Sequence, residues 1–177
     1  IHAIAIDGPK AVGKTTTAEQ RVVGLLRLDA KPNREAVNAD PGLLLSRPRP
    51  LLIDEWQKVP GVWDVVRRAV DDDPTGGQFL LAGSASPRYG ATAHSGAGRI
   101  GRLRMRPMTL SERGIASPSV SLGELLTGRR PPIDGVTDVR LADYAHEIVA
   151  SGFPGMRTLS VRALKFQLDS YLRNAVD

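Results

Sequence analysis

The 177-residue chain contains no cysteine, which excludes disulfides and thiolate metal sites and gives no sign of an oxidising compartment. Its three histidines, His2, His94 and His146, are too scattered to suggest a zinc site. Aromatic residues make up only 5%, so aliphatic side chains must fill the core. No apolar run approaches the ~20 residues needed to span a bilayer, and Ile1 to Ile6 is too short for a signal-peptide core. The chain opens on Ile1 rather than Met and reads as a piece of a longer protein, cytoplasmic by default and without a membrane partner.

What is present fits a folded globular chain: 41% hydrophobic and 24% charged residues, close to ordinary usage. The net charge is +5, carried mainly by arginine. Such a balance fits a nucleic acid or other polyanion as partner, and equally an arginine-rich solvated surface.

His2 to Asp7 is a short apolar strand that runs directly into glycine. Lys14 to about Val22 has no breaker and predicts a helix. Leu25 to Leu28, Pro50 to Ile53 and Gln78 to Ala82 read as further buried strands. Val62, Val65, Val66, Ala69 and Val70 repeat at helical spacing. Strands alternating with helices predict a parallel sheet covered on both faces. Ser86 to Gly98 is a small-residue loop, and Arg102 to Arg106 alternates as a strand with one buried face, closed by Pro107.

Further on, Thr109 with Glu112 and Ser121 with Glu124 match capping boxes for short helices. Arg129 to Gly135 reads as a linker. Leu141, Tyr144, Ala145, Ile148 and Val149 line one helix face. A turn at Gly152 to Gly155 precedes a last helix with Val161, Leu164, Leu168, Tyr171 and Leu172 on one side. These features divide the chain into a core (1–115), a short helix and Pro/Gly linker (116–137), and a helical region (138–177), the start of a truncated C-terminal part.

Gly8-Pro9-Lys10-Ala11-Val12-Gly13-Lys14-Thr15 fits G-x-x-x-x-G-K-[ST] at every fixed position. The glycines let the backbone wrap a diphosphate, the helix beginning near Lys14 adds its positive end, and Gly8 to Thr16 are the candidate nucleotide-binding residues. Lys14 is placed to reach the β- and γ-phosphates of ATP, and Thr15 to hold Mg²⁺. A chance glycine loop is the bland alternative, but a strand before and a helix after supply the context the motif demands. Leu51-Leu-Ile-Asp54-Glu55 is a buried strand ending in two acids. Asp54 is the second metal-site candidate, commonly acting through water, and Glu55 the candidate base for an attacking water. Two solvated acids after a strand are the structural alternative.

Ser84, just past the Phe79–Ala82 strand, is a candidate to align that water, with Ser86 its competitor; either is also an ordinary turn serine. Arg99, Arg102 and Arg88 are candidate transition-state arginines. Arg102, Arg104 and Arg106 can instead blunt an exposed strand edge or face DNA. Trp56 and Trp63 read as packing residues, His94 as a loop histidine and Asp7 as a loop-shaping residue.

In this order the motifs resemble the bacterial and archaeal AAA-type ATPases that carry a C-terminal domain of unknown function. The resemblance rests on Asp7 to Thr15, Leu52-Ile-Asp-Glu-Trp-Gln57 and Phe79-Leu-Leu-Ala-Gly-Ser84. His94 to Arg99, Arg104 to Glu112, Ser151 to Gly155 and Leu168 to Leu172 extend it along nearly the whole chain. It implies a three-layer α/β/α P-loop NTPase fold with a mainly parallel, additional-strand sheet, the Asp54 strand lying beside the Ser84 strand, and a small helical region after it. It also implies ATP binding and hydrolysis, with the rest of the same chain as a partner. Self-association and nucleic-acid binding stay open, as does a nucleotide or small-molecule kinase on the same fold. Acids 54 and 55 followed by Ser84 favour hydrolysis over transfer.

Overall fold

Period-two patterning decides which way each strand faces. In the computed structural model, which describes residues 1–83, 96–132 and 134–176, five parallel strands form one sheet. They are β1 (Ala3–Asp7), β2 (Gly24–Arg27), β3 (Leu51–Asp54), β4 (Phe79–Gly83) and β5 (Ile100–Arg104), in the order β2-β3-β4-β1-β5. Ala3, Ala5, Leu51, Ile53, Phe79 and Leu81 pack on one face with Val62, Val66 and Val70 of α3 (Gly61–Asp72) and Val37 of α2 (Lys31–Ala39). Ile4, Ile6, Leu52, Leu80 and Ala82 take the other face with Ala18 of α1 (Lys14–Glu19). The result is the three-layer α/β/α sandwich with β4 inserted between β1 and β3 that the resemblance implies.

Position in the sheet explains the strand compositions. Every residue of β3 is buried, because it has a strand on each side and helices above and below. Along the edge strand β2, buried and exposed residues alternate. At the other edge, the β5 strand begins two residues earlier than Arg102, and Ile100 is its buried residue while Leu103 is 55% exposed. Arg102 and Arg104 lie on that edge strand, where arginine disfavours pairing with another chain.

Helix α1 is shorter than the breaker-free run suggests, stopping at Glu19 rather than Val22. Val22 and Val23 lead into β2 instead, with the Val23 and Gly24 amides donating to the Pro50 carbonyl (2.9 and 3.0 Å). β-Branched residues tolerate this extended entry better than another helical turn.

The chain forms two compact units, Ile1–Arg106 and Pro107–Asp177. In the second, the Thr109 box makes its reciprocal bonds, Thr109 N–H to Glu112 Oε2 at 2.8 Å and Glu112 N–H to Thr109 Oγ1 at 3.3 Å. Only turns follow it, not the expected helix. The Ser121 box does start a helix, α4 (Leu122–Leu126).

Helix α5 (Leu141–Ala150) forms where expected, but its apolar stripe is exposed, Leu141 by 86% and Ile148 by 80%. Its buried residue is Glu147, held by Arg113 Nη1 at 3.2 Å and Arg157 Nη1 at 2.7 Å. These guanidinium bonds hold the Glu147 carboxyl below its usual pKa, against the opposing effect of burial. In α6 (Val161–Val176), Leu164 is buried whereas Val161 and Leu172 are exposed.

Candidate functional site

Parallel strands place their carboxyl ends along one rim, where ligands bind in open α/β sheets. Strand β1 delivers Asp7 to that rim, in register with Gly83 of β4 and Arg104 of β5. The chain then turns sharply through Gly8. A Cβ there would lie 2.3 Å from the Met105 carbonyl oxygen, so only glycine fits. Ala11 and Gly13 both take positive φ, 65° and 99°, and curl the loop back to the start of α1. Val12 anchors it, almost fully buried, while Pro9 and Lys10 are exposed and Thr16 leaves on the first turn of α1.

Lys14 is only 7% exposed. Its ammonium donates to the carbonyls of Gly8 at 2.8 Å and Pro9 at 2.7 Å, so it lies inside the curve of the loop. Burial pushes its pKa down, while the carboxylates of Glu55, Asp54 and Asp7 pull the other way. The loop thus holds a desolvated cation among inward-curving backbone, the environment a phosphate chain needs.

Asp54 ends β3 and has the same parity as Leu52, so it belongs to the α1 face of the sheet. There the Thr15 hydroxyl donates to Asp54 Oδ1 at 2.9 Å. Strands β1 and β3 are separated by β4, a gap of about 9–10 Å at normal strand spacing. The small Ala82, opposite Asp54 in β4, lets α1 settle close to the sheet. Asp54 is 8% exposed. Burial raises its pKa, the Thr15 bond opposes that, and the Glu55 charge adds to the rise.

Glu55 follows in a left-handed conformation, φ 53° and ψ 39°, which costs a non-glycine residue about 1–3 kcal/mol. Its Oε2 accepts from Gln57 Nε2 at 2.5 Å. Gln57 is a site residue that motif reading passes over; its signal was an amide two positions past the acid pair, inside Leu52 to Gln57.

The arginines separate. The β5 register sets Ile100 beside Ala3, so Arg99 lies at the amino rim, about 16 Å of strand from the Asp7 row. It is paired there with Asp71, and the fold does not bring it to the phosphate-loop rim of its own chain. Arg102 lies 3.7 Å from Asp7 Oδ2 and over the Trp63 ring at 5.7 Å. Trp56 and Trp63 pack together in the core, centroids 5.0 Å apart. Ser84, Ser86, Arg88 and His94 lie outside the described residues.

A curled glycine loop on β1, an acid on β3 and an intervening β4 are joined by one hydroxyl–carboxylate bond. The family model described as "AAA domain" matches residues 2–113. The chain belongs to this AAA domain family. Two curated relatives, each called an uncharacterized protein, come from Mycobacterium bovis and Mycobacterium tuberculosis. Both are 36% identical to this chain over 121 residues, covering 64% of it and 27% of the relative. The chain therefore spans about a quarter of the length of these relatives. This AAA domain is a nucleotide-binding, AAA-type ATPase module, and among the described residues no helix is long and apolar enough to cross a membrane.

Proposed function

We propose that the AAA domain binds ATP with Mg²⁺ and hydrolyses it, as the ATPase module of a larger cytoplasmic protein. In this reading residues Gly8 to Thr16 hold the phosphates and Lys14 turns from its loop carbonyls to the β- and γ-oxygens. The single observation that carries it is the 2.9 Å bond from Thr15 to Asp54. That bond commits the hydroxyl proton to the carboxylate, so the Thr15 oxygen lone pairs are free for a hard cation.

The donor set suits Mg²⁺, which takes few protein oxygens and completes its shell with phosphate and water. Among the described residues no cluster of three or more His, Cys, Asp or Glu could form an all-protein cage. Thr15 and Asp54 would hold the ion, which would supply charge neutralisation at the β- and γ-phosphates.

Glu55 is the proposed base. A water oxygen attacks the γ-phosphorus, its proton passes to the Glu55 carboxylate, and the bond from γ-phosphorus to the β,γ-bridging oxygen breaks. ADP and inorganic phosphate leave. Ser84 remains a proposed water-aligning residue. Arg99 is not part of this reading, because it is engaged with Asp71 at the opposite rim.

Phosphate release from ATP with no added acceptor tests the proposal and separates hydrolysis from kinase chemistry. Lys14→Ala should abolish nucleotide binding. Glu55→Gln should retain it and lose turnover. Release only when an acceptor is added would overturn the hydrolase reading.

A further inference from the structure

Glu55 does not stand alone at the end of β3. The left-handed turn at Glu55 is closed by Lys58 N–H donating to the Glu55 carbonyl at 3.0 Å, the first bond of a 3₁₀ turn at Trp56–Lys58. This turn sends the side chains of Glu55 and Gln57 to one place. There Gln57 Nε2 donates to Glu55 Oε2 at 2.5 Å, and reversing the amide would set two oxygens against each other. Bonds to an ionised acceptor are among the stronger side-chain hydrogen bonds.

The amide itself is wedged. A Cβ on Gly83 would lie 2.3 Å from Gln57 Oε1 and 3.3 Å from Trp56 Nε1, so Gln57 rests against the bare backbone at the end of β4. Gln57 Oε1 is buried and has no hydrogen-bond partner among the described residues. Packing therefore fixes the amide, leaving its Nε2 for Glu55. Gly83 is also in register with Asp7, the residue before the phosphate loop. A chain of contacts thus runs from that row of the sheet to the Glu55 carboxylate.

We infer that Gln57 is the positioning residue for Glu55: wedged against Gly83, its amide holds one carboxylate oxygen and leaves the other to face the attacking water. The inference rests on the proposed role of Glu55 as the base. In this role Gln57 acts only through Glu55. Without it the carboxylate samples several rotamers, and the fraction aimed at the water falls.

The test is single-turnover ATP hydrolysis, with ATP affinity and thermal midpoint measured alongside. Gln57→Ala should slow the chemical step by about tenfold, a typical order for lost alignment, with ATP affinity unchanged. Gln57→Glu, nearly the same shape, replaces the neutral amide donor with a second acid against Glu55 and should lose at least as much. Gly83→Ala, whose methyl must displace the amide, should reproduce the loss without touching Gln57 chemically. In a Glu55→Gln background, Gln57→Ala should cost nothing more, because the two residues act as one unit.

A wild-type rate in both Gln57 variants would overturn the inference and leave the Glu55 assignment standing. So would an equal loss from Gln57→Ala with and without the Glu55 carboxylate. If Glu55→Gln itself turned over at the wild-type rate, the base assignment would fall and this inference with it.

Discussion

The Thr15 hydroxyl donates to Asp54 Oδ1 at 2.9 Å, joining a helix that follows β1 to the end of a strand two places away in the sheet. This bond links the phosphate loop to the buried acid. Asp54→Asn should therefore weaken nucleotide binding by roughly tenfold or more in Mg²⁺, about the size of one lost charge-assisted contact, and leave the weaker metal-free binding nearly unchanged. Titration calorimetry with a slowly hydrolysed ATP analogue, with and without Mg²⁺, makes the comparison. Fold stability should change little, because burial already disfavours the Asp54 anion and the Asn side-chain oxygen can still accept the Thr15 hydroxyl.

Gly8→Ala should damage folding as well as binding. The added methyl would meet the Met105 carbonyl oxygen at 2.3 Å, a backbone atom that cannot rotate aside, so β1 or the β5 exit must shift. A loss of roughly 1–3 kcal/mol is expected for such overpacking, read by urea denaturation followed through the two core tryptophans. A Gly8→Ala variant as stable as wild type would show that the loop departs from β1 by another path.

Core truncation in the first unit should be costly. Phe79 and Leu81 of β4 are buried at the centre of the sheet, and Leu81→Ala should cost about 2–5 kcal/mol. The same denaturation experiment measures it. Leu103→Ala, on the exposed edge strand, should be close to neutral.

The second unit should be acid-sensitive. Arg157 and Arg113 hold the Glu147 carboxyl below its usual pKa. A depressed carboxylate stabilises the fold at pH above its unfolded value, and that contribution is lost as pH falls through the folded one. Amide exchange in α5 and α6 should therefore accelerate as the pH is lowered below about 4.3, the ordinary glutamate pKa, after correction for intrinsic rates. Glu147→Gln should flatten the dependence while lowering protection at neutral pH. Equal acid sensitivity in that variant would move the cause elsewhere.

How far the residues spoke for themselves depended on the range of the interactions involved. The phosphate loop was legible because Gly8, Gly13, Lys14 and Thr15 act within a few positions of each other. Asp54 and Glu55 were legible as the end of an apolar run, and Leu51 to Ile53 read as buried because β3 has neighbours on every side. The partnership of Thr15 with Asp54 spans 39 positions; the pattern suggested a shared metal site, but their direct bond required the fold.

The place of Arg99 was hidden for the same reason. Its place is decided by the pairing of Ile100 with Ala3 and by Asp71, 28 positions away. The stripe in α5 shows a different limit. Periodicity correctly gave a helix with Leu141, Tyr144, Ala145, Ile148 and Val149 on one side. It could not tell that Leu141 and Ile148 would be exposed, nor that two arginines would bury Glu147. Gln57 was hidden because amides have no motif of their own; its relation to Glu55 depends on a left-handed backbone and on Gly83 lying alongside.

In the proposed mechanism the acid pair ending β3 serves hydrolysis, with Glu55 taking the proton. The most direct measurement is the rate of phosphate release from ATP in Mg²⁺ for wild type and Glu55→Gln at equal nucleotide occupancy. The wild-type protein should turn over without any acceptor. The rate should fall by roughly a hundredfold or more, of the order general-base catalysis contributes, in a variant that still binds ATP. Equal rates in the two proteins would contradict this mechanism.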